Sequence, residues 1–170
     1  MKDRIFQWAW RRAVAGRPGA LTRVFWLWIP FNKPHRFRIG SLAEGAASVE
    51  APPRRWNRNH LGTVHACALA TIGEFAAGLC LLSAFSPSDY RLIMSRMEVD
   101  YVRRAEGSIR ATAQISKPDL NAIRNELLVD GISTKVVHSQ LLDAAGMEVA
   151  RVETHWQLKA WAAVHKKTDK

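Results

Sequence analysis

Three residues near the middle of the chain are of types that could perform chemistry: Asn59, His65 and Glu74, within the segment NRNHLGTVHACALATIGEF. Glu74 is the single acid in an almost wholly apolar stretch that runs to Phe85. A carboxylate in apolar surroundings has a raised pKa, and a pKa near neutrality suits a general base. A helix that begins close to His65 would present free backbone N–H groups to a developing oxyanion. The segment therefore offers a base and an oxyanion-binding helix end.

The spacing of His65 and Glu74 excludes a His–Glu dyad within one helix. Nine residues turn a helix through about 180° and advance it by about 13 Å. The two side chains therefore serve different places, or meet counterparts from another chain. Small residues flank Glu74 on its own face and leave room for a ligand or a second helix: Ala70, Thr71, Ala77 and Gly78. Larger apolar residues on the other face suit packing on a sheet: Leu69, Ile72, Ala76 and Leu79.

Alternation of apolar and polar residues predicts the elements that surround this helix. Strands are predicted at 35–42, 44–51, 95–102, 107–115, 133–143 and 149–161, with a turn at 143–146. Residues 117–131 suit either a loop or a short helix. Two strands, one long helix and four more strands indicate an α+β fold, an antiparallel sheet wrapped around a central helix. The predicted divisions are an N-terminal helical extension (1–33), one main domain (34–162) and a basic C-terminal tail (163–170).

The net charge of +10 is concentrated toward the ends of the chain. Arginines interleave with Trp, Phe and Ile over residues 1–30. This pattern is found in amphipathic helices at membrane surfaces, but it favours a helix that covers a core or a subunit contact. Nucleic-acid binding is not expected on sequence grounds, because no helix-turn-helix, zinc or RNA-binding motif accompanies the charge.

The apolar stretch itself is long enough to span a membrane. Its central acid and the strands that follow favour a core helix instead. The segment 1–30 has no signal-peptide pattern. Cys67 and Cys80 are predicted to be free and buried, consistent with a reducing cytoplasm, and no cysteine or histidine spacing predicts a metal site.

The run Asn59–His60–Leu61–Gly62–Thr63–Val64–His65, followed by an acid nine residues later, resembles the hotdog-fold acyl-CoA thioesterases. The most similar group is that of the phenylacetate-degradation and 4-hydroxybenzoyl-CoA thioesterases. Their pattern reads Asn or Gln, five residues, His-Gly-Gly, seven residues, then Asp or Glu. Asn59 precedes His65 by six positions, as in that pattern, and six residues rather than seven separate His65-Ala66-Cys67 from Glu74. The resemblance covers roughly residues 35–160.

The resemblance implies a hotdog fold and a role for each matching residue. Glu74 would be the nucleophile or general base, and Asn59 would hold the attacking water or the carbonyl. The backbone N–H of Ala66 would polarise the thioester carbonyl, with His65 and Gly62 orienting the helix start. The family's sites lie across a dimer interface, so a homodimer or homotetramer is expected. Coenzyme A would enter as part of the substrate, with no separate cofactor.

Three alternatives remain open at this stage. Arg103 and Arg104 either bind the phosphates of CoA or are a solvated strand end. Glu74 could simply pair with an arginine across a subunit contact. His65-Ala66-Cys67 stands where the family has His-Gly-Gly, and glycine allows the closest approach of a ligand to the backbone. The alternative function is therefore a non-catalytic acyl or lipid binder at a membrane surface. A cytoplasmic location, with or without membrane contact through residues 1–30, is expected.

Overall fold

A computed structural model describes residues 2–164, with side chains from Arg4 onward. The last six residues of the predicted basic tail, 165–170, lie outside the described residues. The helices are α1 (Lys2–Val14), α2 (Gly19–Trp28), α3 (Asn32–His35), α4 (Ala66–Ala84) and α5 (Lys117–Val129). The strands are β1 (Arg38–Ala43), β2 (Ala46–Ala51), β3 (Tyr90–Tyr101), β4 (Ile109–Gln114), β5 (Ile132–Leu142) and β6 (Glu148–Ala160). Short 3-10 turns occupy Arg55–Asn57 and Trp161–Ala163.

The six strands form one antiparallel sheet in the order β1-β2-β4-β5-β6-β3. Helix α4 packs against every strand of this sheet. The predicted α+β architecture, an antiparallel sheet wrapped around a long central helix, is confirmed. Strand β3 forms one edge of the sheet, and β1, at the other edge, is contacted by α1 and α2.

Helix α4 is apolar because most of it is enclosed by the sheet. Its length and composition would suffice for a membrane span, yet 61% of its most apolar window is buried inside the fold. The four residues predicted to face the sheet are all buried: Leu69, Ile72, Ala76 and Leu79. Ala77, predicted to leave room beside Glu74, is also fully buried within the chain. The open space on the Glu74 face is therefore narrower than the sequence suggested.

Two glycines of α4 meet very different surroundings, which gives a stability prediction. A Cβ added at Gly73 would lie 2.7 Å from Cβ of Val152, on the buried inner face of β6. We expect Gly73→Ala to lower the free energy of unfolding by about 1–3 kcal/mol through overpacking, despite the better helix propensity of alanine. A Cβ at Gly78 would be 3.4 Å from the Trp156 ring, an ordinary contact.

Gly78→Ala is therefore the matched control, and it should preserve stability or raise it by up to about 1 kcal/mol. Urea unfolding of both variants beside the unchanged protein measures the difference. If the two variants are equally stable, β6 shifts at Val152 to accommodate the added methyl group with no decrease in the free energy of unfolding.

The segment left open between loop and helix forms the thirteen-residue helix α5. Ser116 caps it by accepting a hydrogen bond from the Asp119 N–H at 3.2 Å. Leu120, Ile123 and Leu127 are buried at helical spacing. The amphipathic pattern and the cap outweigh the polar composition of the segment.

Helices α1 and α2 pack on the same core as the sheet. The Phe25 and Phe75 rings lie 5.5 Å apart, centroid to centroid. Thr22 Oγ1 accepts a hydrogen bond from the Ile39 N–H at 3.0 Å, which ties α2 to β1. The inner side of the N-terminal extension thus covers the core, which was one of the two interpretations of its sequence pattern. A division at residues 33 and 34 stays a prediction.

The cysteines are both free, as predicted, but only Cys80 is buried. The prediction that Cys67 is buried is wrong. Cys67 lies in the first turn of α4, beyond the part of the helix that the sheet encloses, and is exposed.

Candidate active site

Glu74 lines an apolar pocket of about 430 Å³ between α2, α4, β3 and β6. Aromatic and aliphatic side chains from all of these elements and from the turn after β6 form its wall, among them Phe25, Ile29, Leu79, Leu82, Trp156 and Trp161. Gly78 lies one helical turn after Glu74, and its missing side chain leaves space beside the carboxylate and the Trp156 ring. The pocket suits an apolar ligand next to a single acid.

The Glu74 carboxylate is isolated. Within residues 4–164 it has no hydrogen-bond donor and no basic side chain at ion-pair distance. Burial alone raises its pKa from 4.5 to about 7. Near neutral pH the group therefore exists in both protonation states, as a base that must accept and return a proton requires. The alternative, a pairing with an arginine across a subunit contact, stays a prediction.

Arg91, on β3, lines the same pocket and was not singled out from the sequence. Its Nε is buried and has no hydrogen-bond partner among the described residues. A buried donor without a partner is costly, so a ligand or a second subunit that supplies an acceptor would be favoured there.

The start of α4 is held in place by a histidine cap. His65 is the N-cap residue, and its Nδ1 accepts a hydrogen bond from the Cys67 N–H at 3.0 Å. The N–H groups of Ala68 and Leu69 donate to the His65 carbonyl. Among the described residues, the Ala66 N–H has no acceptor. The residue assigned from the resemblance as oxyanion donor thus carries the one unused N–H of the first turn.

Asn59 uses its side chain within its own loop. Its Oδ1 accepts from the Leu61 N–H at 2.9 Å, and its Nδ2 donates to Thr63 Oγ1 at 2.9 Å. Gly62, in the same loop, has a φ of +79°, which an L side chain rarely adopts. The structure therefore shows Asn59 stabilising the loop before α4, and its role in holding water stays a prediction.

The neighbouring Asn57 is the buried anchor of this loop, and sequence reasoning missed it. Its Nδ2 donates to the carbonyls of His35 and Pro52, and its own carbonyl accepts from the His65 N–H at 2.8 Å. Asn57 is 1% exposed. The sequence held no signal for this, since Asn59 has the family spacing and Asn57 does not.

A second, smaller pocket of about 240 Å³ lies at the start of α4, lined by residues that include Trp56, Arg58, His65, Cys67 and Thr71. It shares no lining residue with the Glu74 pocket. Ala66 and Glu74 are eight residues apart, or about 12 Å along the helix. One carbonyl cannot contact both groups, because an oxyanion donor lies about 3 Å from the oxygen that it stabilises. Within one copy of the chain, the Ala66 N–H and the Glu74 carboxylate are therefore too far apart to act on the same carbonyl group.

Arg103 and Arg104 are exposed and follow β3, and neither lines the two pockets. Their segment nevertheless contacts the start of α4. The Val64 N–H donates to the Ala105 carbonyl at 2.9 Å, and the Tyr101 hydroxyl donates to the Ala66 carbonyl at 3.2 Å. The segment that carries Arg103 and Arg104 therefore lies beside the start of α4, near the free Ala66 N–H, and not beside Glu74.

No group of three or more metal-ligating side chains occurs within the described residues. The site consists instead of an isolated, half-buried acid, an apolar pocket and a separate helix N-terminus. These features and the six-stranded sheet around α4 define a hotdog-fold protein of the thioesterase superfamily, as the sequence predicted. The chain belongs to the family described as a domain of unknown function, DUF4442, which matches residues 18–158.

Several solved structures share the fold. PA5026 from Pseudomonas aeruginosa, described as a probable thioesterase, has a TM-score of 0.75 at 27% identity, over 82% of this chain and 94% of that protein. The protein designated APC5556 has a TM-score of 0.69 at 26% identity, over 93% and 97% of the two chains. A mutant of the thioesterase enzyme SAV0944 from Staphylococcus aureus has a TM-score of 0.63 at 16% identity, over 76% and 98%. Among curated protein sequences, none matches this chain.

Proposed function

We propose that the protein hydrolyses acyl-CoA thioesters at a site shared between two copies of the chain. The observation that carries this proposal is Glu74, a half-buried acid without a partner among residues 4–164, with a pKa near 7, facing an apolar pocket. PA5026, which is 27% identical, is described as a probable thioesterase, and this supports the same class of reaction.

In the proposed reaction the Glu74 carboxylate accepts a proton from water while the water oxygen attacks the thioester carbonyl carbon. The free Ala66 N–H of a second copy stabilises the oxyanion that forms. When the tetrahedral intermediate collapses, the C–S bond breaks and Glu74 returns its proton to the leaving thiolate. The products are a free acid and coenzyme A.

The two ends of such a substrate fit different parts of the protein. The acyl group suits the apolar pocket beside Glu74, whose wall includes Phe25, Ile29 and Trp156. The phosphates of CoA suit Arg103 and Arg104, which lie next to the Ala66 end of the site through the Val64–Ala105 hydrogen bond. A substrate that reaches from one copy to the other would then contact both.

Strand β3 offers the surface on which a second copy would pack. It is a twelve-residue edge strand whose unpaired backbone groups can add another strand. Its inward-facing residues lie opposite buried residues of β6, yet Met94, Met97 and Tyr101 remain substantially exposed. Apolar side chains that face the core side of a sheet and stay exposed indicate that another subunit covers them.

Met97→Lys is therefore expected to convert a dimer into a monomer, because it places a charge in this inner-face contact. Size-exclusion chromatography with light scattering measures the mass. The matched control is Leu128→Lys, on exposed α5, which should keep the dimer. Because the site is shared, the monomeric variant should also lose CoA release. A folded monomer with full activity would show that one chain holds the whole site.

The function itself is tested by incubating purified protein with acyl-CoAs of several chain lengths and with aromatic acyl-CoAs, using a thiol reagent to detect free CoA. Release with at least one of these substrates supports the proposal. Ala66 and Cys67 replace two glycines at the helix start, which favours the alternative of acyl binding without hydrolysis. Tight acyl-CoA binding in calorimetry with no CoA release would establish that alternative and overturn the proposal.

A further inference from the structure

The outward side of α1 combines apolar and basic side chains. Ile5 and Trp8 are exposed there, Trp8 to 51%, although the opposite side of the same helix buries Phe6, Ala9 and Ala13. Arg4 and Arg11 line a shallow groove with Trp8, and Arg11, Arg12 and Arg17 line a second groove on its other side. The Arg12 guanidinium lies 5.2 Å from the Trp8 ring centroid. Large apolar side chains are thus surrounded by cations.

The end of α2 extends this surface. Leu27 is 71% exposed and Trp28 is about half-exposed. The Trp28 ring stacks on Phe6 at 4.9 Å, which joins the end of α2 to α1. We call the exposed residues of these two helices the α1–α2 face: Arg4, Ile5, Trp8, Arg11, Arg12, Leu27 and Trp28.

The region of α1 and α2 is strongly basic, and its single acid is Asp3, near the start of α1. Residues 4–43 contain seven arginines, one lysine and no acid. The α1–α2 face therefore has no acidic side chain of its own to neutralise its arginines, and the core that it covers is already complete on its inner side. An occupant that supplies both negative charge and apolar depth would complement it.

We propose that the α1–α2 face binds the surface of an anionic lipid bilayer. Tryptophan and leucine enter the boundary between headgroups and acyl chains, while arginines pair with lipid phosphates at the same depth. Nucleic acid would use the arginines but would leave Ile5 and Leu27 without apolar contacts. The α1–α2 face therefore matches a surface that is negatively charged and has an apolar layer beneath its charged groups.

The position of α2 adds a consequence of this docking. Phe25 and Ile29 line the Glu74 pocket, whereas Leu27 and Trp28 belong to the docking face. One helix therefore separates the pocket from the bilayer. Docking does not depend on the proposed hydrolysis, since it uses none of the residues assigned to the reaction.

The test is sedimentation of the full-length protein with two kinds of vesicle: phosphatidylcholine alone, and phosphatidylcholine with phosphatidylglycerol in a ratio of about three to one. We expect binding to the anionic vesicles only, with a loss when NaCl rises from about 0.1 M to about 0.5 M. The double variant Arg11→Gln/Arg12→Gln should bind about tenfold or more weakly, since each basic residue near an anionic surface contributes about fivefold. Trp8→Ala and Leu27→Ala should each weaken binding to the anionic vesicles at the lower salt concentration.

Matched controls separate the face from general basicity and hydrophobicity. Arg54→Gln/Arg55→Gln removes an exposed arginine pair elsewhere, and Leu128→Ala removes an apolar residue that is 83% exposed on α5. Both controls should bind as the unchanged protein does. Absence of binding to anionic vesicles at low salt would overturn the proposal. So would equal weakening by the control pair, or tighter binding to an oligonucleotide that is insensitive to Trp8→Ala. None of these outcomes depends on CoA release.

Discussion

Glu74→Gln should lower the rate of acyl-CoA hydrolysis by about 10²–10⁴-fold, the usual contribution of a positioned general base. Glutamine keeps the size of the side chain and the shape of the pocket but cannot accept the proton of water. Because Glu74 has no hydrogen-bond partner among the described residues, the substitution breaks no hydrogen bond there. The loss should therefore appear in kcat/KM with the fold intact, as checked by circular dichroism.

Glu106→Gln is the matched control, since Glu106 is an exposed acid outside both pockets. Its rate should equal that of the unchanged protein. If Glu74→Gln retains activity within about fivefold, Glu74 is not the general base, because a general base contributes far more to the rate. With the acid in place, kcat/KM should rise with pH through a pKa near 7, as the carboxylate form accumulates.

The same carboxyl group should make the protein less stable as the pH rises. Its pKa is about 7 in the fold, above the ordinary value of 4.5 expected in the unfolded chain. The folded state therefore holds the proton more tightly, and this stabilisation is fully present below pH 4.5. It is lost as the pH passes through 7, with a total change of up to about 3 kcal/mol.

Glu74→Gln should remove this dependence, because glutamine is neutral at every pH. Urea unfolding at about pH 4.5, 6 and 8, at one fixed protein concentration, measures the free energy of unfolding of each variant. The variant and the unchanged protein should be similarly stable at the lowest pH, and the variant more stable at the highest. Parallel pH curves for the two proteins would mean that Glu74 is solvated or paired in the assembled protein.

Helix α4 could be predicted nearly to its ends because its signals are local. His65 caps it and the following nineteen residues are a continuous helix, which ends before Phe85. Strand β3 begins at Tyr90, five residues earlier than its alternation indicated. Its first residues pair with the end of β6, and no local pattern contains that long-range pairing.

The acid of the candidate site could also be predicted, whereas its pocket could not. Glu74 stands out as the one charge in an apolar helix, so composition alone identifies it. The walls come from α2, β3 and β6, and only the folded chain brings Phe25, Trp156 and Arg91 together. The burial of Asn57 could not be predicted either, because its hydrogen-bond partners His35 and Pro52 belong to other segments of the chain.

Helix α2 supplies two walls of the pocket from a part of the chain that carries none of the reacting groups. Ile29, the exposed C-cap residue of α2, can therefore change in size with little effect on α4, whereas Phe25 packs on Phe75 of that helix. Selection, or an engineer, could retune the preferred acyl group by substitutions in α2 alone. Substrate range and chemical competence would then vary independently, since different stretches of sequence encode them.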